Sequence, residues 1–334
     1  MAKKQLHCTL FFLICVLFSP HIVQAHVKWF THATPEKVPM EEILQPLFLV
    51  IAIFVTLVLA YLPVLIEKIS KWKWAQACET ALQSFTTHSL TLLKYGTVIA
   101  LLLQVFSDSI FAIEFSTQKV RWIVWGIILL LILPYRIATQ LGALGILILF
   151  LGVTIEHCLG CTIDYIFYVA VAISLFFYKE KAKKWTIPIL YFFTGFSLCW
   201  VAMEKIIYPS MAIDVVTRYQ VPTFGFPADV FVLLCAFIEF SIGYLLFIGI
   251  LNRTLAVLVT VIFLSTTILF GITEIIGHFM LHIIFLIFLI EGTGQYSMPI
   301  KMYKLQVQQA IFIFAYYLLS LFTLLLLYHV FVTL

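Results

Sequence analysis

Polar residues along this chain gather in short clusters, and the stretches between them are almost wholly apolar. Ten such stretches follow residue 26, at roughly 45–66, 88–106, 120–135, 139–155, 162–178, 186–203, 228–250, 254–272, 275–291 and 307–332. A helix that crosses a bilayer needs about 20 mainly apolar residues. The pattern therefore predicts an all-α, polytopic transmembrane helical bundle of about ten helices. Some stretches are short, and 120–135 and 139–155 are separated only by a tight turn at Pro134-Tyr135-Arg136.

The first residues follow a different pattern. Lys3 and Lys4 precede an apolar run from Leu10 to Phe18 that is too short to span, and Val23-Gln24-Ala25 places small residues where a signal peptidase cuts. Residues 1–25 are expected to be a signal peptide, which leaves His26 at the mature N-terminus, outside the cell; the alternative is an uncleaved anchor helix. The remaining organisation is an external segment with the first transmembrane helix (26–87), a four-helix unit (88–178), a second four-helix unit (186–292) and a C-terminal transmembrane helix (307–334).

Basic residues agree with that orientation. If residue 26 is outside, inward loops hold Lys68, Lys71, Lys73, Arg136, Lys179, Lys181, Lys183, Lys184, Arg253, Lys301 and Lys304, and outward loops hold Lys119, Arg121, Lys205 and Arg218. Cytoplasmic loops are enriched in Lys and Arg, so a bacterial cytoplasmic (inner) membrane with an external N-terminus is expected. One external loop, about 204–228, is long and contains Pro209, Pro222, Gly225 and Pro227.

Composition narrows the classes further. Of 334 residues, 63% are hydrophobic and 11% charged, with a mean hydropathy of +1.10. A soluble domain carries roughly 25% charged residues, so this chain cannot cover a water-facing globule, and its surrounding partner is the lipid bilayer. The net charge of +4 is small, and no basic stripe runs along a soluble face, so nucleic acid is not a partner. Cys15, Cys199 and Cys235 lie inside apolar runs, where Cys behaves as a small hydrophobe.

A shift of 117 residues superposes Gly126 on Gly243, Arg136 on Arg253, His157 on Glu274 and Cys161 on His278. Each unit reads as four helices with a basic turn after the second. An even helix count makes this a parallel repeat rather than an inverted one.

Ionisable groups within the apolar runs carry the candidate chemistry, because each costs about 2.5–3.5 kcal/mol to insert and needs a partner or a wet cavity. Glu239 stands in the middle of 228–250; it is either a proton or ligand site, or a protonated Glu bonded to a neighbouring helix. Glu274, His278 and His282 are spaced by four and so share one helix face. They could chelate a metal or relay protons, or form a polar helix end. Glu156-His157-Cys158-Leu159-Gly160-Cys161, followed by Asp164, could bind a soft metal or cycle between dithiol and disulfide; the alternative is a tight turn. His26 with His32 could hold copper. Glu204 and Lys205 are neighbouring opposite charges expected to pair, with Glu204 also placed to point into the bundle. Glu239, Glu274, His278 and Glu204 are expected to bound one cavity in the outer leaflet.

Residues 186–292 resemble the DoxX-like membrane proteins, four-helix units with a Gly in the first helix, an acidic residue in the second, Gly before a basic turn, and Gly-His near the third and fourth. Gly195, Glu239, Gly243, Gly249, Arg253 and Gly277-His278 carry the resemblance. Residues 88–178 look like a weaker copy, with Trp122 where Glu239 stands. One member of that family is the small subunit of an archaeal thiosulfate:quinone oxidoreductase, and others are associated with redox homeostasis. The resemblance implies a fold and a redox-linked setting rather than a reaction; a quinone-linked subunit is one reading, and the cofactor is left open between quinone and a metal ion. The sequence has no haem-binding pair, flavin motif or iron–sulfur Cys set, so electrons would come from a membrane redox partner subunit. Competing readings are a proton- or metal-ion-coupled transporter, with the ion held by His278, His282, His157, Cys158 and Cys161, and a non-catalytic assembly factor that docks through 204–228.

Overall fold

The computed structural model describes residues 29–69, 71–157, 159–178, 185–250, 252–292 and 306–332. The expected signal peptide, His26, Cys158 and the clusters Lys179–Lys184 and Lys301–Lys304 lie outside the described residues. The chain is helical, with one short hairpin. Its main elements are α1 (Pro46–Ile69), α2 (Lys73–Gln83), α3 (Ser89–Phe106), β1 (Ser109–Ile110), β2 (Ala112–Ser116), α4 (Arg121–Ile132), α5 (Arg136–Glu156), α6 (Phe167–Phe176), α7 (Thr186–Ile207), α8 (Pro209–Arg218), α9 (Ala228–Phe247), α10 (Asn252–Phe270), α11 (Ile272–Glu291) and α12 (Gln306–Phe331).

Each of the ten apolar stretches forms a helix or a bent helix pair, but fewer than ten have the length to cross a membrane. Among the described residues, seven helices are long and apolar enough, and an eighth span arises if Leu159–Tyr165 and α6, bent by 61°, count as one. The shortfall has a physical cause at α4. Pro134 disfavours helical backbone at the residue before it, Leu133 is extended with ψ 137°, and the helix stops after 12 residues. At 1.5 Å per residue it covers about 18 Å of an apolar layer about 30 Å thick.

The helices pack in an ordered way. α3, α4, α5 and α6 each contact the next, and so do α7, α9, α10 and α11. Between the two sets, α3 lies on α11 and α6 lies on α7, so the first helix of each set meets the last helix of the other. α1 and α12 pair with each other and lie against α9 and α7 respectively.

The tightest crossing joins α7 to α9. A Cβ on Gly243 would sit 2.7 Å from the Gly195 carbonyl oxygen and 2.8 Å from Cys199 Sγ, and a Cβ on Gly195 would run into the backbone of Gly243 and Phe247. Only two glycines facing each other allow the backbones this close. Close approach maximises van der Waals contact, the main force available where lipid removes the hydrophobic drive.

The ends of the bundle differ. One end, the basic end, carries Lys68, Lys71, Lys73, Arg136 and Arg253. There Arg253 donates from Nε to the Leu289 carbonyl (2.9 Å) and from Nη2 to the Ile290 carbonyl (2.8 Å), closing the C-terminus of α11, and it pairs with Glu79 of α2. The buried Lys94 closes α4 in the same way, donating to the Leu133 carbonyl at 2.6 Å. The other end is crossed by an extended strap, residues 29–39. Thr31 Oγ1 and the His32 N–H donate to Asp214 of α8 at 2.9 and 2.8 Å. The Val38 N–H donates to the Ile207 carbonyl at 2.9 Å, and Lys37 donates to the His329 carbonyl of α12.

Candidate functional site at the strap end

The strap ends on a cluster built by four separate elements. β2 presents Glu114, α11 begins with Glu274 and His278, the turn before α6 holds Asp164 and Tyr165, and α7 contributes Glu204. The hairpin is held in place by Gln104 at the end of α3, whose side chain accepts from the Phe111 N–H at 3.0 Å and donates to Tyr168 at 2.7 Å.

On α11, His278 Nδ1 lies 3.1 Å from Glu274 Oε1, one helical turn away, the geometry expected of an i,i+4 pair. Both side chains are buried. The His278 ring faces Phe263 of α10 at 4.9 Å and the indole of Trp29 at 5.2 Å. Gly277 makes room for that indole, because a Cβ there would collide with its six-membered ring. Trp29 Nε1–H donates to Glu114 Oε2, and Tyr165 Oη donates to the other carboxylate oxygen at 3.1 Å. One carboxylate therefore joins the strap to the turn before α6.

That turn leads to the most deeply buried acids among the described residues. Asp164 is 1% exposed and Glu204 is fully buried, and Tyr165 lies within electrostatic reach of both. Tyr328 of α12 completes the cluster, close to Glu204 and Asp164 and 4.8 Å from the Trp200 ring. Ser197 donates to the Asp164 backbone carbonyl, and Trp200 Nε1 donates to the Gly160 carbonyl at 3.3 Å, which pins the turn to α7. Glu204 and Asp164 thus lie beside Tyr165, which shares Glu114 with Trp29, and the Trp29 ring in turn packs on His278 of the Glu274 pair. Carboxyl and imidazole groups are the members able to take up and release a proton.

The expected residues thus fall into two clusters rather than one cavity. Glu239 does not join His278. It takes Lys205 of α7, with Nζ to Oε2 at 2.6 Å and the side chains 18% and 21% exposed. Adjacent residues of a helix do not face each other, so Lys205 makes its hydrogen-bonded pair with Glu239 across the helix interface, while Glu204 beside it stays within electrostatic reach. Glu204 belongs to the strap-end cluster. His282 is half-buried one turn below His278, with its ring 6.1 Å from Phe263. His157 packs on Phe115 of β2 at 4.6 Å. Cys161 is buried and disulfide-bonded, so it offers no thiolate. Among the described residues, no three His, Cys, Asp or Glu side chains converge as a metal site would. His32 is held by the strap's bond to Asp214.

Glu114, Tyr165, Tyr328 and Trp29 escape sequence reasoning. Glu114 stands in a short loop between apolar runs, and the tyrosines read as apolar helix positions. Trp29 lies in a polar stretch; its only signal is the glycine at 277 that leaves a flat space on α11. No family model, no curated protein and no solved structure matches the chain.

Proposed function

We propose that this protein is a DoxX-like, multi-pass protein of a bacterial cytoplasmic membrane, with the strap end outside, whose strap-end cluster handles protons for a quinone-linked redox reaction. The carrying observation is the burial of Asp164 and Glu204 beside Tyr165 and Tyr328, continued by hydrogen bonds through Glu114 and Trp29 toward the Glu274–His278 pair. Acids buried inside a membrane bundle are costly, and where they are kept they commonly mark a proton or ion path. Quinone reduction consumes two protons and quinol oxidation releases two, so a quinone site needs such groups nearby. The orientation follows from the excess of basic residues at the opposite end. The reciprocal packing of α3 on α11 and α6 on α7 supports two copies of one four-helix unit. Electrons come from a membrane redox partner.

Extraction of gently solubilised protein should yield bound quinone, with a redox-active subunit copurifying. Protein that carries neither rules this reading out.

A second reading, a proton-coupled transporter, rests on the same chain of groups. It expects potential-driven proton uptake in vesicles that drops at least tenfold in Asp164→Asn and Glu204→Gln. A metal cargo is less well supported, since Cys161 is oxidised and the histidines are dispersed.

A further inference from the structure

The indole of Trp29 rests in a space whose walls belong to α11 and to β2. Gly277 forms the floor, since a Cβ there would collide with the ring. The His278 ring stands 5.2 Å away, tilted by 44°. Glu114 Oε2 accepts the indole N–H, and the other oxygen of that carboxylate is already engaged by Tyr165. The occupant belongs to the strap rather than to the body: Trp29 is half-buried, and the strap beside it is anchored through Thr31 and His32 to Asp214 and through Phe30 stacked on Phe270. A carboxyl acceptor is also more than an indole needs. Neutral carbonyls satisfy most buried N–H donors, whereas a carboxylate beside an imidazole suits a donor that can give up its proton.

We propose that the space formed by Gly277, His278 and Glu114 is a slot for a planar hydroxyaromatic ring of the quinol class, and that Trp29 fills it when no ligand is bound. The ring lies on Gly277, and its hydroxyl replaces the indole N–H as donor to Glu114. Binding then requires the first residues of the strap to swing aside, so affinity is reduced by the fraction of time the indole is in place. This deepens the quinone-linked reading and rests on it.

The test is calorimetric titration of the full-length protein in lipid nanodiscs with a short-chain benzoquinol. Trp29→Ala should bind at least tenfold more tightly than the unmodified protein. Asp214→Ala, which loosens the strap without touching the slot, should give a smaller gain in the same direction. Adding Gly277→Ala to Trp29→Ala should remove the gain, as should adding Glu114→Leu. Equal binding in all these proteins overturns the slot and leaves the quinone link standing. Such binding would place the ligand elsewhere, for instance in the lateral groove of about 260 Å³ lined by Phe196, Tyr244 and Phe247. Absence of benzoquinol binding in every variant overturns both.

Discussion

The two four-helix sets use the same helix order but hold themselves together differently. In the second, Gly195 and Gly243 let α7 and α9 touch backbone to backbone, and Lys205–Glu239 bridges the same pair. In the first, the position that matches Gly243 is Gly126, which has nothing within 4 Å of where a Cβ would be, and the position that matches Glu239 is Trp122, 86% exposed. The basic turns differ as well: Arg253 closes α11, whereas Arg136 is exposed and α4 is closed from α3 by Lys94. The ends facing the strap part in the same way. Glu274 and His278 form a buried pair under Trp29, while the matching His157 and Cys161 are an aromatic contact and a disulfide. The two sets thus fasten themselves differently, while both supply the strap-end cluster: Glu114, Asp164 and Tyr165 come from the first, and Glu204, Glu274 and His278 from the second.

That contrast can be broken most severely at the glycine crossing. Gly243→Leu forces a branched side chain into a space with no room for one carbon. Overpacking a filled interior costs about 1–3 kcal/mol even for extra methylenes, so this change should abolish the folded monomer, while Gly126→Leu leaves it intact. Labelling of the buried Cys199 thiol, read by mass spectrometry, should become fast only in the Gly243 variant. Glu239→Leu comes next, because it leaves Lys205 without its counter-charge. Losing one member of a buried pair costs about 3–5 kcal/mol, and the partial exposure of this pair lowers the expected loss to about 2 kcal/mol; Trp122→Leu should change the melting temperature little. Arg253→Ala should cost about 1–2 kcal/mol through two lost carbonyl bonds, with Arg136→Ala costing less in the same thermal scan. Smallest is Gly126→Ala, expected to stabilise by up to about 1 kcal/mol, since alanine favours helix and the space is free. A destabilised Gly126→Ala would mean that the two halves are packed more alike than their contacts indicate.

Much of the helical scaffold was legible because apolar runs bounded by charges leave few other folds. Span lengths were less so: Pro134 was visible, but the chain stops α4 early and the run 162–178 divides at a bend. Glu239 is legible as needing a partner, yet Lys205 is not legible as that partner, because the pair forms only where α7 and α9 cross. His278 and Glu274 were legible through their spacing. Their link to Asp164 and Glu204 was not, since it passes through Glu114, Tyr165 and Trp29, three residues brought together only when the hairpin, the turn before α6 and the strap meet. Long-range assembly of single residues leaves no periodic trace.

The fastening of Lys37 to the His329 carbonyl has a further consequence. These two residues are separated by almost the whole length of the chain, and during synthesis the first is made long before the second. The clasp over the acids can therefore latch only after α12 has been made. Until then the polypeptide holds its acidic interior ajar, and a product truncated before α12 would stay unlatched however well its earlier helices had packed.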